Sequence, residues 1–164
     1  MVIIRPISEP DWDGVWAIIE PVFRAGETYA YSPDITKEDA FGVWVSAPKA
    51  TYVATDENAT VLGTYYIKPN QPALGAHVCN CGYIVAEQAR GQGIASEMCK
   101  HSQLEALALG YCAMQFNLVV STNAGAIRLW DSLGFTTIGT LPGAFDHKAL
   151  GYVDALVMYK TLTS

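Results

Sequence analysis

Apolar and polar positions alternate along this chain with two different periods, which predicts helices and strands packed in an α+β domain. Trp12, Val15, Trp16, Ile19 and Phe23 recur at helical spacing and predict a first helix. The predicted helices are 9–24, 34–47, a helix that opens at 94 and ends at Gly110, and 123–133. The predicted strands are 2–7, 51–55, 60–68, 76–85, 113–120, 135–140 and 152–159.

A glycine-rich segment, Arg90-Gly91-Gln92-Gly93, lies between the strand 76–85 and the helix that opens at Ile94. Gly91 and Gly93 lack the Cβ atoms that would keep main-chain N–H groups away from a ligand. The first turn of the helix directs its unpaired amides and the positive end of its dipole at the same place. The sequence therefore predicts a binding site for a phosphate-bearing anion.

The residues after the two glycines exclude two common phosphate loops. A P-loop requires Lys and then Ser or Thr after its second glycine, whereas Ile94 and Ala95 follow here. A dinucleotide fingerprint requires a third glycine at the position of Ser96. We therefore expect neither a P-loop nor a Rossmann dinucleotide site.

Two motifs resemble those of the GCN5-related N-acetyltransferases, the GNAT family. Gln88-x-x-Gly91-x-Gly93 is similar to the family's acetyl-coenzyme A (acetyl-CoA) loop. Further along, Asn117 lies on a predicted strand, and a helix opens at Asn123 and ends in Leu133-Gly134-Phe135, as in the second family motif. The motifs occur in the family's order and spacing, and the resemblance spans nearly the whole chain.

This resemblance implies the GNAT fold as a single domain over residues 1–164. We expect a mixed, twisted sheet of six or seven strands with four helices. The centre of the sheet would be parallel, where the glycine-loop strand and the Asn117 strand splay apart around the acetyl thioester, and main-chain groups of residues 83–85 would pair with the pantetheine arm. The positions that match the family's cofactor site are Tyr83, Ile84, Val85, Gln88, Arg90, Gly91, Gln92, Gly93, Ile94, Ala95 and Asn123.

Further segments resemble the fungal enzymes that N-acetylate the toxic proline analogue L-azetidine-2-carboxylate. They are Tyr66-Ile67-Lys68-Pro69-Asn70, Cys79-Asn80-Cys81-Gly82-Tyr83, Phe116-Asn117-Leu118-Val119-Val120 and Trp130-Asp131-Ser132-Leu133-Gly134-Phe135. The likeness implies that Asn80, Asn117 and Asn123 fall on the substrate pocket and catalytic centre of that group. Amide side chains are neutral at any pH and can orient the carboxylate and the amine of an amino acid.

Two of these asparagines also have a purely structural interpretation. Asn123 stands at a helix start, where Asn is a preferred N-cap, and Asn80 would be an edge residue that bonds to solvent. On a strictly alternating strand, Asn117 shares a face with Gln115 and Val119, and its amide needs hydrogen-bonding partners. We predict catalytic roles for Asn117 and Asn123 and a substrate-binding role for Asn80.

Several residues are candidates for the groups that transfer protons. Glu27, Tyr29 and His77 are the candidates for the general base and for contacts with the acceptor. Many GNAT enzymes place Tyr at the position of Trp130 to protonate the leaving thiolate, and an indole has no comparable acidity. Trp130 shares a helical stripe with Leu133, which predicts a packing role, and water would then serve in proton transfer.

Composition narrows the classes of partner. The formal net charge is −6 and Lys and Arg form no cluster, so nucleic acid is not an expected partner. No apolar signal segment or membrane-length run is seen, and we expect a cytoplasmic protein that does not bind membranes. Cys79, Cys81, Cys99 and Cys112 form no C-x-x-C pair, and adding His77 does not complete a metal site, so we expect no disulfide and no metal.

We therefore expect an acetyl-CoA-dependent N-acetyltransferase that acts on a small amine, with an amino acid or cyclic imino acid as the preferred acceptor. The amine would attack the thioester directly in a ternary complex. Two alternatives stay open, a non-catalytic acyl-CoA-binding domain and an enzyme that acetylates antibiotic or herbicide-like amines. A homodimer is compatible with the sequence.

Overall fold

The computed structural model describes residues 1–163, and within them the chain forms a seven-stranded mixed sheet and four α-helices, which confirms the expected fold class. The strands are β1 Ile3–Pro6, β2 Ala50–Thr55, β3 Val61–Pro69, β4 Val78–Val85, β5 Ala113–Val120, β6 Thr136–His147 and β7 Gly151–Thr161. The helices are α1 Trp12–Ala25, α2 Lys37–Phe41, α3 Ile94–Ala108 and α4 Ala124–Ser132. The strand order is β1-β2-β3-β4-β5-β7-β6, in which β4 and β5 are parallel and the other neighbours are antiparallel.

Helices cover both faces of the sheet, and each face has its own apolar core. One core lies beneath α3 and α4 and includes Cys81, Met98 and Trp130. The other lies beneath α1 and includes Phe23 and Ile84. Because successive strand residues face opposite sides, β4 contributes its odd-numbered side chains to the first core and its even-numbered side chains to the face of α1.

The parallel pair β4–β5 is very short. Val78 pairs with Ala113 and Cys79 pairs with Met114, and no further pair between the two strands is formed by the described residues. Both strands nevertheless continue, to Val85 and to residue 120. The predicted splay of the two central strands is therefore present, and it begins at Asn80.

A β-bulge in β5 corrects the predicted alternation of that strand. Phe116 pairs with Met158 of β7 and Val119 pairs with Leu156, so two β5 residues lie opposite one residue of β7. The extra residue returns Val119 to the face of Phe116, and both belong to the core beneath α4. The prediction that Val119 shares a face with Asn117 is therefore wrong.

The second helix and strand β6 also differ from their predicted boundaries. The second helix begins at Lys37, where the Thr36 hydroxyl accepts the N–H of Asp39 at 3.1 Å, and it continues as a π-helical turn over Gly42–Ser46. Strand β6 is much longer than predicted, because an edge strand can hold a bulge at a Pro-Gly pair. The N–H of Gly143 in that bulge donates to Asp154 Oδ1 at 2.9 Å.

The buried carboxylate of Asp11 ties β1 to the start of α1. It accepts two hydrogen bonds from the Arg5 guanidinium, at 2.7 and 2.9 Å. The N–H and the hydroxyl of Ser8 also donate to it, each at 2.7 Å. The bonds from Arg5 and Ser8 hold the pKa of Asp11 well below its usual range.

Asp11→Asn should lower the free energy of unfolding by about 2 kcal/mol at neutral pH, since hydrogen bonds to charged groups contribute roughly 1.5–3 kcal/mol. The pKa of Asp11 is lower in the folded state than the unfolded value of about 3.9. The carboxylate's contribution is therefore fully present above about pH 4 and is lost as the pH falls towards the folded-state pKa. Urea unfolding of both proteins from pH 7 to pH 2 should show the difference narrowing below pH 4, and a constant difference would contradict this account.

Candidate active site

A cleft of about 1020 Å³ opens where β4 and β5 diverge. Its walls come from the second half of α1, the loop 27–31, β3, β4, β5 and the start of α4. The residues predicted from the sequence that line it are Glu27, Tyr29, Asn80, Tyr83, Ile84, Val85, Gln88, Arg90, Asn117 and Asn123. Residues 91–95 follow Arg90 in sequence and do not line the cleft, so the structure brings part of the predicted cofactor positions and part of the predicted acceptor positions to one cavity.

Half of the main-chain groups of β4 face this cleft. The N–H of Asn70 donates to the carbonyl of Val78, and the N–H of Ala86 donates to the carbonyl of Leu62, both at 2.8 Å. Hydrogen-bonded positions alternate in an antiparallel pair, so the even-numbered residues of β4 bond to β3 and the odd-numbered residues point towards β5. Beyond the short paired segment, β5 has moved away. The open edge of β4 therefore consists of the N–H and C=O groups of Cys81, Tyr83 and Val85.

This alternation refines the predicted cofactor strand 83–85. The main chain of Ile84 is directed to its partner Thr64 on β3, so only its side chain is available to the cleft. The hydroxyl of Tyr29 donates to the carbonyl of Tyr83 at 2.9 Å and so occupies one group of the open edge. Burial raises the pKa of the Tyr29 phenol, which makes Tyr29 a hydrogen-bond donor and not a general base at neutral pH.

The glycine loop has the geometry expected of an anion cradle. Gly91 and Gly93 have φ angles of +76° and +79°, which favour glycine. No described atom lies within 4 Å of the position that a Cβ would take at either glycine, so this side of the loop is open to a ligand. Gly93 is also the N-cap of α3 and offers no side chain to bond the first-turn amides. Those N–H groups remain available to an anion.

Asn80 pins β4 to β5 at the point where the strands separate. Its Nδ2 donates to the main-chain carbonyl of Gln115 at 2.9 Å. Its Oδ1 accepts a hydrogen bond from the hydroxyl of Tyr66 at 3.4 Å. The side chain is 7% exposed. Asn80 therefore uses both Nδ2 and Oδ1 in hydrogen bonds within the protein and does not lie at a solvent-facing edge. These bonds favour a structural role over the predicted substrate contact.

The other two asparagines are also held by neighbours. Gln115 Nε2 donates to Asn117 Oδ1 at 2.9 Å, and Asn117 Nδ2 donates to Asn70 Oδ1 at 2.7 Å. This chain of amides fixes the orientation of Asn117 while one of its two Nδ2 hydrogens stays uncommitted among the bonds of the described residues. Asn123 caps α4, since its Oδ1 accepts the N–H of Ala126 at 3.3 Å. Its Nδ2 is not used in the cap, so Asn123 can cap α4 through Oδ1 and bind a ligand through Nδ2.

A glycine makes room for the aromatic wall of the cleft. A Cβ on Gly82 would lie 2.6 Å from Cε2 of Tyr66, so the Tyr66 ring lies directly against the main chain of β4. The Tyr66 hydroxyl thereby reaches Asn80. Tyr29 and Tyr31 stack nearby with ring centroids 6.2 Å apart, and all three tyrosines line the cleft.

The comparisons with known proteins agree with this geometry. The model of the Acetyltransferase (GNAT) family matches residues 12–135, which is most of the chain. The chain belongs to the GNAT family. The cleft at the splay is the candidate active site of this family member.

Three similar proteins place this GNAT chain more closely. A GCN5-related N-acetyltransferase from Kribbella flavida is 42% identical, with a TM-score of 0.92, and the match covers 98% of this chain and 97% of that one. The N-acetyltransferase aca1 of Schizosaccharomyces pombe is 38% identical over 112 residues, 68% of this chain and 54% of its own length. Protein SPT10 of Saccharomyces cerevisiae is 28% identical over 148 residues, 82% of this chain and 23% of its own length. The chain thus spans about half, or less, of these two curated relatives.

Trp130 forms an aromatic wedge in this GNAT domain, which we define as Tyr83, Phe116 and Trp130. The Trp130 ring lies 5.0 Å from that of Tyr83 on β4 and 5.1 Å from that of Phe116 on β5, centroid to centroid. The rings of Tyr83 and Phe116 are 5.9 Å apart. The wedge therefore packs between the diverging strands on the face of the sheet that α3 and α4 cover. The predicted packing role of Trp130 is confirmed.

His77 lies outside the cleft. It is exposed just before β4, and its carbonyl accepts the N–H of Cys112 at 2.8 Å, at the end of the sheet where β4 and β5 are still paired. Over residues 1–163, no three His, Cys, Asp or Glu side chains come together as a metal-binding group. In the same residues, no helix is long and apolar enough to cross a membrane.

Several residues of the cleft were not assigned a role from the sequence. Tyr66 and Lys68 line it from β3, and Gln115 holds both Asn80 and Asn117. Tyr66, Lys68 and Asn70 belong to a segment that resembles the azetidine-acetylating enzymes, and their alternation on β3 was a usable signal. Their roles follow from strand register, which the sequence does not display.

Asn80→Ala should lower the free energy of unfolding by about 1–2 kcal/mol, because a buried main-chain carbonyl loses its donor. Asn80→Asp should cost more, since a carboxylate cannot donate to the carbonyl of Gln115. Asn58→Ala, at the exposed β2–β3 turn, is the control and should change stability by less than about 0.5 kcal/mol. Chemical unfolding measures all three, and an Asn80→Asp protein as stable as the wild type would show that the pin is unimportant.

Proposed function

We propose that this chain transfers an acetyl group from acetyl-CoA to the amine of a small amino acid or cyclic imino acid. The observation that carries the proposal is the open edge of β4, which leads from the glycine loop to Asn80 within one cleft. The glycine-loop end suits a diphosphate, and the other end offers amide side chains suited to a small polar acceptor. Donor and acceptor bound in this way would meet beside β4.

The open edge fits the chemistry of CoA. Its pantetheine arm contains amides, and the N–H groups of Cys81, Tyr83 and Val85, together with the carbonyls of Cys81 and Val85, can pair with them as with an added strand. Its diphosphate fits the uncapped amides at Gly91 and Gly93. When bound, acetyl-CoA supplies the acetyl group as a reactive thioester. The Tyr83 carbonyl already accepts the hydroxyl of Tyr29 and has a second lone pair that can accept from the pantetheine arm.

The chain's own groups can support direct transfer. A new C–N bond forms while the thioester C–S bond breaks, the proton lost by the amine goes to a base, and CoA leaves as a thiolate that takes a proton from water. Of the three base candidates, Glu27 has a carboxyl group and lines the cleft. We assign to Asn117 and Asn123 the orientation of the amine and of the carbonyl oxygen, on which main-chain N–H groups of the open edge would also act. Burial raises the pKa of the Cys81 thiol, so a cysteine nucleophile is not favoured.

A second candidate is a non-catalytic acyl-CoA-binding domain. Trp130 favours it, because an indole supplies no acid for the leaving thiolate. Acetylation of an antibiotic or herbicide-like amine is a third. The oriented amide of Asn117 favours catalysis, since a protein that only binds CoA has no need of an amide chain beside the acyl end of its site.

The cellular compartment, the oligomeric state and the biological role are also proposals. The free cysteines, with Cys112 exposed, suit a reducing compartment such as the cytoplasm. The long edge strand β6 exposes Ile138 and Leu141 and could pair with a second copy in a homodimer. Acetylation of a toxic imino acid would convert its basic amine into a neutral amide, and we propose that this would detoxify it.

Thiol release from acetyl-CoA, measured with a panel of amines, tests the proposed function. Azetidine-2-carboxylate and small amino acids should give faster release than an aminoglycoside or a peptide with a free N-terminus. If the bulky amines react faster, the acceptor class is wrong. If acetyl-CoA binds and no amine releases thiol, the chain is an acyl-CoA-binding domain.

Gly93→Ala should weaken acetyl-CoA binding at least roughly 10-fold, because a methyl group would enter the cradle and displace charge-assisted hydrogen bonds to phosphate. The positive φ of Gly93 adds a strain of about 1–2 kcal/mol, which unfolding measurements will register separately. Gly139→Ala on β6 is the matched control, because it also adds a methyl group in open space and lies outside the cleft. Calorimetric titration with acetyl-CoA measures the affinities, and an unchanged affinity in Gly93→Ala contradicts the cradle.

A further inference from the structure

Lys68 lies beside the acceptor end of the cleft. In the β3–β4 ladder its Cα is paired with that of Asn80, so the two side chains share one face of the sheet with Tyr66 and Gly82. Directly opposed residues have Cβ atoms roughly 4.5–5.5 Å apart. Lys68 is half-buried and lines the cleft. Its ammonium lies 5.2 Å from the centre of the Tyr66 ring.

The Lys68 ammonium contacts the face of the Tyr66 ring and pairs with no carboxylate of the described residues. In the part of the chain that the structure describes, the salt bridges join other residues, and the Lys68 ammonium makes no hydrogen bond. An anionic ligand can therefore bind this ammonium without displacing a salt bridge of the described residues. The chain carries a net charge of −6, so this local positive charge stands against the overall balance.

The position of Lys68 excludes the phosphates of CoA as its partner. The phosphate cradle begins beyond Val85, and Asn80, opposite Lys68, lies five strand positions earlier. At about 3.3–3.4 Å per residue, these positions are roughly 17 Å apart before the loop itself is counted. The cation that lines the cleft beside the glycine loop is Arg90. Lys68 therefore stands at the acyl end of the site, where the acceptor has to bind.

We propose that Lys68 binds the carboxylate of the acceptor, which must then be an α-amino acid or cyclic imino acid with a free carboxylate. This inference rests on the proposed function and makes it more specific. Glu27 lines the same cleft and supplies the opposite charge for the amine of such a zwitterion. Polyamines, aminoglycosides and peptide N-termini lack a carboxylate next to the reacting amine, so Lys68 selects against them.

The test compares azetidine-2-carboxylate with azetidine-2-carboxamide, two acceptors that share ring and amine and differ in the charge that Lys68 would bind. The wild type should prefer the acid. Lys68→Gln should lower kcat/KM for the acid roughly 10- to 100-fold, the range expected for losing one charge-assisted hydrogen bond, and leave the amide within about 2-fold. The KM for acetyl-CoA should not change. Lys49→Gln removes the same charge at an exposed site outside the cleft and should leave both acceptors unaffected.

Two kinetic results would overturn the assignment. One is equal use of acid and amide by the wild type, and the other is an equal loss for both acceptors in Lys68→Gln, which would indicate a structural role. If the wild type acetylates no amine, the proposed function fails, and calorimetric titration of azetidine-2-carboxylate into the CoA-loaded protein decides the question for Lys68. Binding that is lost in Lys68→Gln and kept in Lys49→Gln supports the carboxylate site, and the absence of binding to the wild type refutes it.

Discussion

The early end of the β4–β5 pairing is the constraint on which the rest of this structure depends. Main-chain polar groups inside a protein need hydrogen-bonding partners. A parallel ladder that stops after its second pair leaves N–H and C=O groups of both strands that need partners from elsewhere. Asn80 meets this need at the branch point, Tyr29 meets it at one carbonyl, and a ligand can meet the remainder. The aromatic wedge prevents the alternative solution, in which the strands close again. The cleft thus exists because β4 and β5 form no hydrogen-bonded pairs beyond the second one.

The anion site shows how an acidic protein can hold an anionic cofactor. Attraction by the net charge is not available at −6, so the donors have to be local and fixed in advance. Main-chain amides at Gly93 and along the open edge meet this need because folding has already oriented them. The same acidity elsewhere makes Lys68 notable, since it is the cation at the acceptor end of a cleft whose other cation, Arg90, lies beside the glycine loop.

The sequence predicted the fold well because its most informative signals are local. The glycine loop, the helix opening at Asn123 and the strand periodicities depend on residues within a few positions of each other. The errors come from contacts between distant segments. The bulge after Phe116 depends on pairing with β7, and the length of β6 depends on its position at an edge. Asn80 was recognised as important, but its partners Tyr66 and Gln115 lie on two other strands, so its role as a pin needed the register.

The amide pin has a consequence for how the enzyme responds to acidity. Asn80, Gln115, Asn117 and Asn70 hold the branch point and the acceptor wall together, and none of them titrates. The geometry of the splay is therefore independent of proton concentration over the range in which the fold persists. A pH–rate profile would accordingly report the ionisation of the acceptor amine and of the groups that bind or deprotonate it, and not a change within these amide hydrogen bonds.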